Sequence, residues 1–168
     1  RKYIFDATVL SNFAAADQLS VLKARYRGVG FTTIEVSDEL RRGVKAGYEH
    51  LTPALQQIET VNPEGWLSVL TPSSADEHRL RITLDRSLDP GEASCLALAA
   101  SRGLILATDD LAARRLAEGE GVSLTGTLGV LVALVRDNAL FLPEANAMLA
   151  AMIERRYRSP VDKLDDLI

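Results

Sequence analysis

Short apolar runs alternate with longer amphipathic segments along this 168-residue chain, and that alternation limits its fold more tightly than anything else in it. Strand-length runs separated by helix-length segments signal parallel βαβ units. Strands are predicted over Lys2–Asp6, Val29–Phe31, Trp66–Leu70, Leu104–Ala107 and Val122–Leu124. Helical periodicity runs through Val9, Leu10 and Phe13, and again through Leu19, Leu22 and Tyr26 behind an Asp17 N-cap. Thr32 and Glu35 read as the capping box of a helix reaching about Ala46, with Gly47 as its stop. Further helices are expected over Leu51–Thr60, over 75–84 behind a Ser74/Glu77 box, and over Ala93–Arg102, 110–118, Thr127–Arg136 and Glu144–Tyr157. The length fits one domain, taken as residues 1–158, and the charged tail 159–168 is expected to pack loosely.

In an open α/β sheet, the carboxyl ends of the strands and the starts of the following helices line one crevice. Four widely separated acids fall at a strand end or early in a helix: Asp6, Glu39, Glu92 and Asp110. Asp6 closes the run Tyr3-Ile4-Phe5, and Asp110 follows Leu104-Ile105-Leu106-Ala107-Thr108. Carboxylates gathered in a crevice repel one another unless a divalent cation neutralises them, and hard oxygen donors suit Mg²⁺ or Mn²⁺. The pattern points to metal-dependent phosphodiester chemistry. Asp6, Glu39, Glu92 and Asp110 are its catalytic candidates, and Asp6, Glu92, Asp109 and Asp110 its metal ligands.

Each acid also has a structural explanation to set against this one. Ending a strand does not require Asp6, because Thr8 is available to cap the next turn; Thr8 is equally placed to hold a metal or its water. Glu39 lies one helical turn after Glu35, beyond the stretch where capping or the helix dipole calls for an acid. Glu92 takes the third helical position after Asp89 and Pro90, a capping-box place that alone would justify it. Asp109 and Asp110 both suit a helix start, although two adjacent carboxylates exceed what capping needs. Arg114, four residues after Asp110, is expected on the same face as an ion-pair partner or a phosphate clamp.

A net charge of −4 argues against a protein that coats nucleic acid by bulk electrostatics. Yet fifteen of the nineteen basic residues are arginine, whose fork matches phosphate as lysine does not. They cluster at Arg41-Arg42, at Arg79, Arg81 and Arg86, at Arg114-Arg115, and at Arg155, Arg156 and Arg158. For any one cluster a solvated helix face is the plainer reading. The single cysteine, Cys95, excludes an internal disulfide, fits a reducing cytoplasm and lies in an apolar stretch as a small buried hydrophobe. His50 and His78 stand alone, against both zinc and a Ser/His/Asp triad. The segment Thr125–Gly129 is glycine-rich but lacks the lysine and spacing of a phosphate loop. No run approaches a membrane span and no signal-peptide pattern precedes the first strand, so a cytoplasmic protein without membrane contact is expected.

Five motifs, in order and spread over residues 3 to 131, resemble those of PIN-domain nucleases. Phe5-Asp6-Ala7-Thr8-Val9-Leu10 resembles their opening, and Val36-x-x-Glu39-Leu40 their helix-borne glutamate. Asp89-Pro90-Gly91-Glu92-Ala93 resembles the segment carrying their third acid, in a branch where Gly-Glu-Ala replaces the commoner Asp-Ala. Thr108-Asp109-Asp110 resembles their Thr-x-Asp, and Gly126–Leu131 the later turn of the branch. The resemblance implies a small α/β/α sandwich around a mainly parallel sheet and Mg²⁺- or Mn²⁺-dependent endoribonuclease activity on RNA. It also implies the toxin role of many single-domain members, blocked by a small antitoxin protein, and the homodimer common in the family.

From the acid cluster, a water of lowered pKa on the metal would attack the phosphorus in line, with Glu39 orienting or deprotonating it. Two rival readings remain open. One is a PIN-like fold whose acids no longer cut and which serves as a binding or scaffold domain. The other is a phosphatase-like hydrolase with Asp6 as nucleophile, against which stands Thr8 where a second aspartate is usual.

Overall fold

Five short strands form the centre of the computed structural model, which describes residues 1–168. They are β1 (Tyr3–Phe5), β2 (Gly30–Thr32), β3 (Ser68–Val69), β4 (Ile105–Ala107) and β5 (Leu124–Thr125). Every pairing is parallel, in the order β3-β2-β1-β4-β5. Parallel neighbours need crossovers, and the helices provide them: α1 (Ala7–Ala15), α2 (Leu19–Tyr26), α3 (Ile34–Lys45), α4 (Leu51–Leu55), α5 (Ala75–Leu84), α6 (Pro90–Arg102), α7 (Leu111–Gly119), α8 (Thr127–Arg136) and α9 (Leu142–Glu154). The architecture is the expected α/β/α sandwich in a single domain.

Ile4 and Phe5 in β1 and Leu106 and Ala107 in β4 are buried, as inner strands covered on both faces must be. Phe5 sets its ring edge-on to Tyr26 and Trp66, with centroids 5.1 and 5.8 Å away. The indole of Trp66 lies so close to Gly30 that a Cβ there would come within 2.5 Å of it, so β2 needs glycine at this point. Helix α6 is buried from Ala93 through Ala99 and forms the central helix of the core. Cys95 lies within it, with Sγ 3.6 Å from the Phe5 carbonyl; burial pushes its thiol well up, and it behaves as the small hydrophobe expected.

The strand order decides where a site can form. From β1 the chain builds outward through β2 to β3, then returns to lay β4 and β5 on the other side of β1. The sheet therefore changes winding direction between β1 and β4, and such switch points open a crevice at the carboxyl ends of the strands. Phe5 pairs in register with Ala107, so the next residues, Asp6 and Thr108, leave the sheet side by side.

Several local expectations are corrected. Thr33, not Thr32, caps α3, its Oγ1 accepting the Val36 N–H at 3.3 Å. Thr32 belongs to β2 and donates its hydroxyl to the Phe5 carbonyl at 2.9 Å. Glu35 consequently leaves the capping box and pairs with Arg81 of α5 at 2.7 Å. Asp17 adopts a left-handed φ of 55° and does not cap α2, which starts after Gln18 without a side-chain cap. Helix α4 stops at Leu55 because Gln57 and Glu59 form backbone hydrogen bonds with Leu67, a long-range pairing that helical periodicity does not reveal. The tail does not pack loosely. Leu164 is fully buried, and Asn146 of α9 holds both the Leu164 N–H and the Asp165 carboxylate.

The Ser74/Glu77 capping box forms and does more than cap. The buried Glu77 carboxylate accepts a forked pair from Arg102, at 2.8 Å from Nε and 3.1 Å from Nη2. That contact, helped by the Ser73 N–H, holds the carboxyl far below the usual carboxylate range and fastens α5 to the end of α6. No helix is long and apolar enough to cross a membrane.

Candidate active site

Asp6 is itself the N-cap of α1, taking the place offered to Thr8: its Oδ1 accepts the Ala7 N–H at 2.5 Å. Its Oδ2 accepts the hydroxyls of Thr108 at 2.6 Å and Thr8 at 3.2 Å. The side chain is 1% exposed. Burial outweighs these three donors and, with the Asp110 charge adding, pushes the carboxyl up to about 6. The Thr108 hydroxyl also accepts the Asp110 N–H at 3.1 Å, so one buried oxygen ties Asp6 to the turn after β4. Asp110 caps α7 through the Ala113 N–H at 2.7 Å.

Glu92 fills its capping place, with Oε2 accepting the Asp89 N–H at 3.2 Å. It also feels Asp6 and Asp110: burial first, then those two charges, push its carboxyl up to about 7. Glu39 is driven to about 7 as well, by burial and by the charges of Asp6, Asp89 and Asp110, against a lowering pull from Arg42. Its Oε2 is buried without a hydrogen-bond partner. Gly91 makes room for it, since a Cβ at that position would stand 2.7 Å from that oxygen.

Asp6, Glu39, Glu92 and Asp110 thus share one electrostatic neighbourhood at the switch point, and Asp89 adds a fifth charge to it. No three of these side chains close into a finished cage of ligands. Mg²⁺ does not need one, since it takes one or two carboxylates and keeps several waters. An orphaned buried carboxylate oxygen among mutually repelling acids is a fit for a hard divalent cation.

Asp109 has partners of its own. Its Oδ1 accepts the Thr127 N–H at 2.9 Å, and its Oδ2 accepts the Thr127 hydroxyl at 2.5 Å and the Asn12 amide at 3.0 Å. Gly126 is required beside it, because a Cβ there would meet Oδ1 at 2.5 Å. The expectation for Arg114 is corrected too: it neither pairs with Asp110 nor stands free as a phosphate clamp. Its Nη1 donates to the carbonyls of Thr108 and Thr125 at 2.9 and 3.1 Å. Arg114, Asp109 and Thr127 together stitch the β4–α7 turn to β5 and the start of α8.

Two supporting residues were missed in the sequence. Asn12 stands one turn after Thr8 on the same face of a largely apolar helix, and that polar pair was the available signal. Thr108 stood in the Thr-x-Asp resemblance, but the part its hydroxyl plays depends on strand register. Thr108→Val keeps the side-chain volume and deletes the hydroxyl between Asp6 and Asp110. It should cut activity per folded molecule about 10- to 100-fold, as loss of a ligand-orienting partner does. Full activity in a variant shown folded by circular dichroism would remove Thr108 from the site.

The fold and site define an open α/β domain with a carboxylate crevice at its topological switch point. The family model described as PIN domain matches residues 2–168. The chain belongs to the PIN-domain family, within the nuclease superfamily, and PIN domains are in general metal-dependent nucleases. The crystal structure of PAE2754 from Pyrobaculum aerophilum shares the fold, with a TM-score of 0.51 at 22% identity, over 83% of this chain and 98% of that one. No curated protein matches the chain.

Proposed function

We propose that this protein is a Mg²⁺- or Mn²⁺-dependent endoribonuclease in which Asp6, Glu92 and Asp110 hold the metal and Glu39 handles the proton of the attacking water. The observation that carries the reading is the buried Glu39 Oε2, partnerless among three other acids at the switch point. A bound divalent ion supplies charge neutralisation at phosphorus and a water of lowered pKa. In the metal-free chain burial and the neighbouring carboxylates lift Glu39 to about 7, and no donor holds its Oε2, so that oxygen is free to take a proton. Thr108 and Thr8 fix the Asp6 carboxylate, and Asn12 with Thr127 holds Asp109 as a brace behind Asp110. The toxin role, with its antitoxin and homodimer, belongs to the same proposal and rests on the family resemblance alone.

Purified protein should cleave labelled single-stranded RNA with Mg²⁺ or Mn²⁺, lose that activity in EDTA, and regain it when metal is restored. Absence of cleavage with either metal would leave the scaffold reading in its place.

A further inference from the structure

Helix α9 ends with an arginine where such endings favour glycine. The Arg156 N–H bonds the Ile153 carbonyl at 3.0 Å and the Tyr157 N–H bonds the Met152 carbonyl at 3.0 Å. These are the paired bonds of a Schellman ending, and Arg156 sits at its left-handed position with φ 77°. Glycine adopts that conformation freely, whereas an L side chain is strained in it. Here the chain keeps the side chain and tolerates the strain.

The same segment borders Asp110, one of the four acids. Arg156, Tyr157 and Arg158 line a cleft of about 430 Å³ together with Thr8, Asp109 and Asp110. Tyr157 and Arg158 continue into a second cleft of about 520 Å³ beside Leu124 and Gly129. Arg156 continues into a third, beside Tyr48, His50 and Glu154. Asp110 therefore lies midway along a run of three adjoining clefts. None of the ion pairs in the molecule engages Arg156 or Arg158. Leu111, next to Asp110 and shared by the first two clefts, is 69% exposed.

We propose that these clefts are the track of a single RNA strand, in which Arg156 and Arg158 fork onto phosphates flanking the one that is cut and Tyr157 with Leu111 stacks an adjacent base. The inference rests on the nuclease reading and names the form of its substrate. Guanidinium forks match phosphate oxygens. Stacking on Tyr157 requires an unpaired base, which a duplex keeps inside its stack. The net charge of −4 leaves two local arginines rather than a broad basic face, which also favours one strand over two.

Fluorescence anisotropy of a labelled single-stranded RNA about 12 nucleotides long, read in Mg²⁺ on an Asp6→Asn background, tests this without cleavage. R156G/R158A should bind about tenfold more weakly or worse, and its slope of log affinity against log salt should flatten by about 1.4, two lost phosphate contacts at about 0.7 each. R156G alone should keep its Tm or raise it by about 2 °C while losing affinity, since glycine relieves the strained ending. A merely structural arginine would not separate those two readouts. R27A, just before β2 at the amino ends of the strands, should bind as the background does. Unchanged affinity in R156G/R158A, an equal loss in R27A, or equal competition by duplex RNA would each overturn the proposal. Wild-type protein that does not cut RNA while R156G/R158A still loses affinity would sink the nuclease reading and leave the RNA track standing.

Discussion

Asp6→Asn should reduce RNA cleavage about a thousandfold or more while the domain stays folded and gains thermal stability at pH 8. The loss follows from removing a metal-holding charge whose effect on the transition state is worth several kcal/mol. The stability gain follows from burial. Asn matches the shape of Asp and caps helices equally well, so the Ala7 N–H keeps its acceptor. The Thr108 hydroxyl, which now donates to Oδ2, turns to accept from the new amide while still accepting the Asp110 N–H. What disappears is a carboxylate driven by burial from 3.8 to about 6. Two pH units correspond to about 3 kcal/mol at most, and the weaker neutral hydrogen bonds return part of it, leaving about 1–2 kcal/mol. If Asp6 were only a helix cap, Asn would leave activity intact. Cleavage by the pure variant at the wild-type rate would therefore remove Asp6 from the chemistry, and with it the metal site built around it.

The parts of this site that could be read in the sequence are those set by local rules. Asp6 and Asp110 follow apolar strand runs, and a carboxylate after a parallel strand points to the switch-point crevice whichever strands turn out to be neighbours. Glu39 was legible as an acid beyond capping need, whereas a capping place alone explained Glu92, and that capping bond is present alongside its share in the common field. The illegible parts all depend on register or tertiary approach. Thr32 and Thr33 are adjacent and chemically alike, and only the cross-strand bond from Thr32 to Phe5 decides which one caps α3. Arg114 had the spacing for Asp110, yet two carbonyls brought together by β4 and β5 claim its guanidinium. As neighbours in a row, Asp109 and Asp110 were both metal-ligand candidates, and only the Thr-x-Asp resemblance set Asp110 apart. Thr127 and Asn12, 115 residues apart in sequence, hold Asp109, while Asp110 caps α7. Arg156 carries no local mark of a functional residue, because the helix ending it strains and its place beside Asp110 both come from folding.

The metal-free protein should be more stable near pH 5 than at pH 8, and millimolar Mg²⁺ should narrow that difference. Asp6, Glu39 and Glu92 are lifted in the folded state to about 6, 7 and 7 from 3.8, 4.5 and 4.5. Between roughly pH 4 and 7 the folded chain therefore holds more protons than the unfolded one, and the stability of the fold declines as pH rises through that window. Glu77 acts in the opposite sense: its lowered carboxyl favours the fold above about pH 4 and withdraws that support in stronger acid. The two tendencies together place the maximum near pH 5. A divalent cation bound only by the folded acids reverses the first tendency. At ten times its dissociation constant it adds about 1.4 kcal/mol, a rise in Tm of roughly 3–6 °C for a chain of this size. Protons compete for the same oxygens, so the Mg²⁺ shift should be clear at pH 8, fade by pH 5, and vanish at both in Asp6→Asn. Differential scanning calorimetry across that matrix isolates the cause, because a nonspecific ionic effect would act on the variant as strongly as on the wild type. A flat Tm from pH 5 to 8 would show that burial and mutual repulsion do not lift these acids in the folded chain, and a Mg²⁺ response preserved in Asp6→Asn would place the ion elsewhere.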